Sequence, residues 1–345
     1  MSTDSKIREK RFGSLVKDRP KISILIPSYN TAHTIAETLD SVLAQTFTDY
    51  EIIVANDAAP DTEELKRVLE NYYEKIIFID KEKNQGTSAT RNLMIKEARG
   101  ELIAFLDADD IWFPNYLQEQ AEFLEQSGYD MVYADTEFFG VSHQAGESFM
   151  AYNPPRGAVT RRMLVEGKAI ILPSGTLIRR EELLTKGMFD PDVSRTEDFD
   201  LWMRLIFQGT RIGYQRKILF KFRLRPGSGS GDSLQRIERC RDIWRVLQKK
   251  LPFTKEENTI IERNVAIEDA ALLRAKGRLY LHQKDWKAAQ RVFSEAKEKA
   301  EQIGLPLKHR LKMSGVLLML RIAPNILRSL FYRFRADEIE YMPND

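Results

Sequence analysis

The sequence predicts an α/β protein, with a mostly parallel sheet flanked by helices and followed by an α-helical C-terminal region. Three observations predict it. From residue 21 onward, apolar runs of strand length alternate with amphipathic helical patterns, the signature of βαβ units. Each run opens onto a polar cluster, and Asp107-Ala108-Asp109-Asp110 puts three carboxylates within four residues. From about residue 233 the apolar spacing is purely helical.

Residues 1–20 are charged, lack the apolar stretch of a secretion signal and are expected to be flexible. Residues 21–27 form a first apolar run that opens onto Ser28-Tyr29-Asn30-Thr31. A helix over 33–45 sets Ile35, Leu39, Val42 and Leu43 on one face. The run at 50–55 opens onto Asn56-Asp57-Ala58-Ala59-Pro60-Asp61, and the next helix turns Leu65, Val68 and Leu69 inward. A strand over 75–80 leads through Asn84-Gln85-Gly86 to a helix running past Arg91 to Ala98. Residues 101–106 are continuously apolar after Glu101, as in a strand buried on both faces. Right-handed crossovers between parallel strands then line the polar clusters along one edge. Asp57 and residues 107–110 should face one crevice outside the carboxyl ends of the strands, where open α/β sheets bind ligands. Further on, a helix over 198–208 buries Phe199, Trp202, Leu205 and Ile206 and begins with Glu197, Asp198 and Asp200.

Clustered carboxylates repel one another unless a cation sits among them. Mn²⁺ or Mg²⁺ suits them, because both prefer oxygen ligands and commonly share them with a phosphate. The competing reading of residues 107–110 is a solvated acidic loop after an edge strand, and that of Asp57 is an Asx-turn capping the next helix. Composition sets outer bounds. The 345 residues allow one large domain and an appendage, and 43% hydrophobic content is ample for a core. A net charge of +2 gives no nucleic-acid signal. One cysteine, Cys240, excludes an internal disulfide and suits a reducing cytosol, and with four histidines a zinc site is not expected.

Taken in order, the motifs resemble family 2 glycosyltransferases of inverting type, which have the Rossmann-like GT-A fold. The resemblance covers about residues 20–230. Ile24-Leu-Ile-Pro27-Ser-Tyr29-Asn30 resembles the opening strand and its loop. Ile53-Val-Ala-Asn56-Asp57 resembles the segment that reads the nucleobase, with Asn56 where the family usually has a first acid. Asn84-Gln-Gly86 and Ala89-Thr-Arg91-Asn92 resemble the loop and helix beside the ribose and diphosphate. Leu106-Asp107-Ala108-Asp109-Asp110 resembles the metal-binding motif. Ser174-Gly175-Thr-Leu-Ile-Arg179-Arg180 and Gly187-Met-Phe189-Asp190 resemble the acceptor-side segment. Thr196-Glu197-Asp198-Phe-Asp200-Leu-Trp202 resembles the segment that bears the catalytic base. Phe222-Arg223-Leu-Arg225-Pro226 resembles a late loop over the diphosphate, with Arg225 where a metal-binding histidine is common.

The resemblance implies roles. Pro27, Tyr29, Asn30, Asp57, Asn84, Gly86, Arg91, Asp107, Ala108, Arg223 and Arg225 would bind the nucleotide. Asp109 would hold Mn²⁺ or Mg²⁺, with the diphosphate supplying further ligands. Asp57 can accept a hydrogen bond from a base ring N–H, which favours a uracil or thymine edge, and a guanine edge has such a donor too, so this residue leaves the base open. Asp198 would be the base that deprotonates an acceptor hydroxyl, with Asp200 its competitor and Glu197, Asp200 and Trp202 on the acceptor side. Trp112 and Trp202 offer rings to a sugar, but ordinary core packing is the preferred reading for both. The expected activity is transfer of a sugar from a nucleotide-diphosphate donor, a UDP-sugar favoured, to a glycan or lipid-linked acceptor in surface polysaccharide or glycoconjugate synthesis. Two alternatives are a sugar-nucleotide-forming nucleotidyltransferase and a non-catalytic scaffold. The first lacks its Gly-rich basic loop, since Pro27-Ser-Tyr-Asn-Thr stands there.

The expected domains are a flexible segment 1–20, a transferase domain 21–230, a helical region 231–304 and a basic amphipathic segment 305–345. Within the third, Leu273, Gly277, Tyr280, Trp286, Ala289, Phe293 and Ala296 resemble one tetratricopeptide helix pair. Residues 308–335 carry Lys308, Arg310, Lys312, Arg321, Arg328, Arg333 and Arg335 with no acid between them, interleaved with apolar residues. That pattern reads as helices lying on an anionic membrane, and the competing reading is a closing helix with its cations in solvent. No run reaches the length of a membrane span. A cytoplasmic protein peripheral on the inner face of the cell membrane is expected, and the oligomeric state is not readable.

Overall fold

The computed structural model describes residues 6–140, 145–151, 156–193, 196–224, 233–304 and 307–327. The chain divides into two compact units, Met1–Leu224 and Arg225–Asp345.

The first unit is built on one sheet, ten-stranded among the described residues. Its parallel block comprises β2 (Ile22–Ser28), β3 (Tyr50–Asn56), β4 (Ile76–Lys81) and β5 (Leu102–Phe105), preceded in the chain by β1 (Ile7–Phe12). The four strands are almost continuously apolar because both faces are covered. One face carries Ile22, Ile24, Ile26, Ile52, Val54 and Phe78 against Ile35, Leu39 and Val42 of α1 (Ile35–Leu43) and Leu65 and Leu69 of α2 (Thr62–Leu69). The helix α3 (Gly86–Glu97) lies against β2 and β3 and buries Met94 and Ile95.

Strand order is β1-β4-β3-β2-β5 and then onward through the second half of the sheet. The chain runs outward from β2 to β4 and then returns to place β5 on the other flank of β2. Strand order reverses there, and a crevice opens at the carboxyl ends of β2 and β5. Beyond β5 the sheet is mixed. The remaining elements are β6 (Ile111–Trp112), α4 (Tyr116–Ser127), β7 (Met131–Gly140), β8 (Gly157–Val159), α5 (Arg161–Val165), β9 (Thr176–Arg179), α6 (Arg180–Lys186), α7 (Glu197–Phe207) and β10 (Ile212–Leu224). β9 runs antiparallel to both β5 and β7, while β10 is parallel to β7.

One expectation is corrected here. Within residues 1–20, Ile7–Phe12 is not a flexible segment but an edge strand, antiparallel to β4. Its charged residues hid it, because edge strands use charge to discourage pairing with other chains. Lys66 reaches Glu9 at 3.1 Å and Arg8 reaches Asp80 at 3.5 Å, so those charges also fasten the strand.

The second unit is helical: α8 (Ser233–Lys250), α9 (Lys255–His282), α10 (Trp286–Gln302) and α11 (Leu307–Ile322). Thr254 and Glu257 form a reciprocal capping box at the start of α9, and Asp285 caps α10 by accepting from the Ala288 N–H at 3.0 Å. Small residues mark where α9 and α10 meet. A Cβ on Gly277 would lie 2.8 Å from the ring of Phe293, and Ala289 and Ala296 are fully buried. We therefore expect Gly277→Leu to destabilise this unit. Overpacking costs about 1–3 kcal/mol, against roughly 1 kcal/mol of helix propensity gained. Urea unfolding followed by circular dichroism measures the balance, and a gain in stability would refute the close contact.

Candidate active site

The crevice begins at the end of β2. The Asp57 N–H donates to the Ser28 carbonyl at 3.0 Å, which ties the loop after β3 to the loop after β2. Asn30 and Ala58 hold left-handed backbone angles in these two loops (φ +57° and +52°), and Tyr29 is exposed. Pro27 is half-buried beside them. Asp57 itself is buried. Its Oδ1 accepts from the Lys81 ammonium and from the Gln85 N–H at 3.0 Å, and its Oδ2 accepts from the Gly86 N–H at 2.8 Å. Lys81 is 0% exposed and also donates to Thr90 Oγ1 at 2.9 Å. Asp57 thus moulds the Asn84-Gln85-Gly86 loop, and Asn84 Oδ1 accepts from the Gly86 N–H as well, at 3.0 Å. Asn56 donates to Thr62 Oγ1 and Asp80 Oδ1, both at 2.8 Å. An amide suits this place because it donates to Asp80, where a second carboxylate would repel it.

The acidic turn after β5 is held from below. Asp110 is buried, with Oδ2 accepting from Ser174 Oγ at 2.5 Å and Oδ1 accepting from the Arg223 N–H at 2.9 Å. Burial and the charges of Asp109 and Asp107 hold its carboxyl well above the usual carboxylate range. The Asp107 N–H donates to Ser174 Oγ at 3.0 Å, and Trp112 Nε1 donates to the Ser174 carbonyl at 2.7 Å. Two of the expected nucleotide ligands have partners within the protein here. Ala108 is buried in the core, and its carbonyl accepts from Thr34 Oγ1 at 2.8 Å, so it braces the turn. Arg223 contacts protein groups. Its Nε donates to the Asp109 carbonyl at 2.8 Å, its Nη2 donates to Glu37 at 2.6 Å, and its guanidinium lies 4.3 Å from the Phe139 ring centre.

Arg91 also has partners within the protein. It is 3% exposed, with Nη2 donating to Asp107 Oδ1 at 2.6 Å and Nη1 donating to Glu197 Oε1 at 3.0 Å. Its guanidinium also sits 5.2 Å from the Phe189 ring centre. One buried cation therefore joins the end of β5 to the start of α7. Neighbouring bonds repeat that tie: Asn92 and Phe189 exchange hydrogen bonds at 2.7 and 2.9 Å, and Ser88 Oγ donates to the Val193 carbonyl at 3.2 Å.

Asp198 stands in the first turn of α7, where the helix end favours an anion. Its Oδ1 accepts from the Phe199 N–H at 2.8 Å. Burial and the neighbouring Glu197 charge push its carboxyl up to about 7, against the opposing pull of Arg91. Asp200 is 0% exposed and accepts from Arg204 Nε at 2.7 Å, and Arg204 donates onward to the Met188 carbonyl at 2.8 Å. Asp200 is thus the ion-pair partner of Arg204. Trp202, 1% exposed, packs near Phe105 and Phe189 and donates from Nε1 to the Ile171 carbonyl at 3.2 Å, so it is core and not a sugar platform. Trp112 is core too, stacked on Tyr116.

Among the described residues no three His, Cys, Asp or Glu side chains converge as a metal site. The donors nevertheless fit a hard cation that takes one or two carboxylates and completes its shell with phosphate oxygens. Asp110 is sealed behind Ser174 and Asp107 is paired with Arg91, whereas Asp109 is half-buried at the crevice and its negative charge is felt at Asp110. Arg225 lies outside the described residues. The residues that sequence reasoning missed are Lys81 and Ser174 as organisers of the site. Lys81 had a signal, since a lysine ending an apolar run must find an acid when buried; the Ser174 contacts had none.

The family model described as Glycosyl transferase family 2 matches residues 23–184. An uncharacterised glycosyltransferase of Rickettsia prowazekii is 30% identical over 255 residues, covering 70% of this chain and 76% of that protein. WfgD of Escherichia coli, named a UDP-Glc:alpha-D-GlcNAc-diphosphoundecaprenol beta-1,3-glucosyltransferase, is 30% identical over 226 residues, covering 64% of this chain and 84% of that one. Three longer Rickettsia relatives are spanned over only 34% to 41% of their length. Residues 1–349 of TarS from S. aureus superpose with a TM-score of 0.57 at 19% identity, over 91% of both chains. PcManGT, a mannosyltransferase of Pyrobaculum calidifontis solved with GDP-Man and Mn²⁺, gives 0.55 at 18% identity over 92% of this chain and 86% of its own. The shared architecture is the GT-A fold.

Replacing Arg91 by Met should leave Glu197 and Asp107 without their common cation. Breaking a buried pair in this way costs about 3 kcal/mol or more, and Arg91→Lys should recover part of the loss. Chemical denaturation of the three proteins tests this, and an Arg91→Met variant as stable as the wild type would exclude the bridge.

Proposed function

This chain belongs to glycosyl transferase family 2, and from that premise we propose that it moves a sugar from a UDP-sugar to a hydroxyl of a glycan or lipid-linked acceptor, with inversion at the sugar carbon. One observation carries the reading. Asp198, with a carboxyl pushed up to about 7, shares a single charged cluster with Asp107 at the end of the acidic strand. A base poised near working pH is what deprotonation of a hydroxyl requires. Asp198 takes the acceptor proton, and the freed oxygen attacks the anomeric carbon from the side opposite the diphosphate. The new C–O bond forms as the bond to the diphosphate breaks, and the nucleoside diphosphate leaves with the electron pair. Glu197, fixed by Arg91, keeps negative charge beside Asp198 and so raises its affinity for that proton.

Asp109 would hold Mn²⁺ or Mg²⁺ together with the donor phosphates, and the cation would neutralise charge on the departing diphosphate. Asp57 supports a uracil edge. Among the described residues its Oδ2 accepts a single hydrogen bond, from Gly86, and keeps capacity for a base ring N–H. The name of WfgD supports both a UDP-sugar donor and a lipid-diphosphate acceptor. Pro27, Tyr29 and Asn30 would line the same nucleotide cleft.

Asp198→Asn keeps the shape and removes the proton acceptor. Turnover should fall roughly 10²- to 10⁴-fold, the range for one acid–base group, with donor affinity nearly unchanged. In the wild type Asp198 must be ionised to act, so kcat/KM should rise with pH and level off above about 7. A product that keeps the donor's anomeric configuration, by NMR, would rule out single displacement. For the cation, calorimetry of UDP binding should show affinity lost with EDTA and in Asp109→Asn, and equal binding in all conditions would remove Asp109 from this role.

A further inference from the structure

The last described segment, α11 and the turn after its end at Ile322, carries both covered and exposed apolar residues. Leu320 and Leu327 are buried against Leu281, Ala289 and Phe293. Leu318, Ile322 and Ile326 are instead 59%, 69% and 59% exposed. Leu318 and Ile322, four residues apart, share one face of α11 with the exposed Arg321 beside them, and Ile326 extends this apolar stripe beyond the break at Ala323. The stripe belongs to a stretch, residues 308–335, that holds seven Lys and Arg and no Asp or Glu.

We propose that this face docks on the surface of an anionic phospholipid bilayer. The charge pattern selects that occupant. A second copy would bring the same acid-free basic segment against itself, and the two would repel. The partner must be anionic and must also accept three apolar side chains, and an anionic lipid surface offers both at once. No described helix is long and apolar enough to cross a membrane, so the segment lies along the surface. The proposal is independent of the chemistry in the crevice, but it would hold the enzyme where a lipid-linked acceptor resides.

The test uses the full chain and vesicles of phosphatidylcholine, alone or mixed with an equal part of phosphatidylglycerol. The protein should pellet with the mixed vesicles and hardly with phosphatidylcholine alone. Raising the salt should weaken binding by screening the basic contribution. Leu318, Ile322 and Ile326 together replaced by Ser should reduce partitioning roughly tenfold or more, since a comparable apolar area is removed from the interface. Because these side chains are exposed, the melting curve should be unchanged. Equal pelleting of the variant, or equal binding to both vesicles, would overturn the proposal. So would a concentration-dependent dimer in light scattering that the triple variant abolishes, because the stripe would then be a self-association surface.

Discussion

The double ion pair of Arg91 is the interaction on which the rest of the site depends. It joins two carboxylates that are far apart in sequence, one at the end of the acidic strand and one at the start of α7. Burying a guanidinium is expensive unless its charge and its donors are matched. Here two of its nitrogens donate to carboxylates and its guanidinium lies over the Phe189 ring, while Nε has no partner among the described residues. The pairing fixes the separation between the end of β5 and the start of α7. Catalysis by proximity requires the groups of a site to be set before substrate arrives.

A second buried pair, Lys81 with Asp57, performs a similar task at the end of β3. The two pairs meet on α3: Lys81 donates to Thr90 in this helix, and Arg91 is the next residue along it. One short stretch of the helix therefore touches both pairs. Its first turn is shaped by Gly86, whose φ of +86° suits glycine, and by the backbone donors that Asp57 gathers.

Much of this was legible from residue order. The apolar runs and the helical faces of α1, α2 and α7 follow from periodicity, and the acids after β5 announce a site because nothing structural requires three together. What was not legible was the partner of each charge. Arg91, Arg223 and Asp200 have the residue types that bind phosphate or act on acceptors, yet each is matched to a protein group. Arg91 meets Glu197 across 106 residues and Arg223 meets Glu37 across 186, and no local pattern encodes such distances. Asp200 was within reach of sequence reasoning, since Arg204 follows at the i,i+4 spacing of a helical ion pair. The strand Ile7–Phe12 was hidden because its order comes from pairing with β4 and not from its own apolar content.

The contrast between Asp198 and Asp200 shows how one helix turn sorts two identical side chains. Asp200 faces Arg204 in the core, with Arg204 Nε 2.7 Å from its Oδ2. Asp198 is pushed up to about 7 by burial and by Glu197, and Arg91 offsets this only in part. The linkage follows from the sign of the shift. Between the ordinary aspartate value near 4 and about 7, the folded chain holds a proton on Asp198 that the unfolded chain has released. Stability attributable to this group is therefore greatest at low pH and declines as pH rises through that window. At neutral pH the fold works against the ionised form of Asp198. A carboxylate buried beside a like charge, with only partial relief from a cation, is the kind of arrangement that gathers at functional sites.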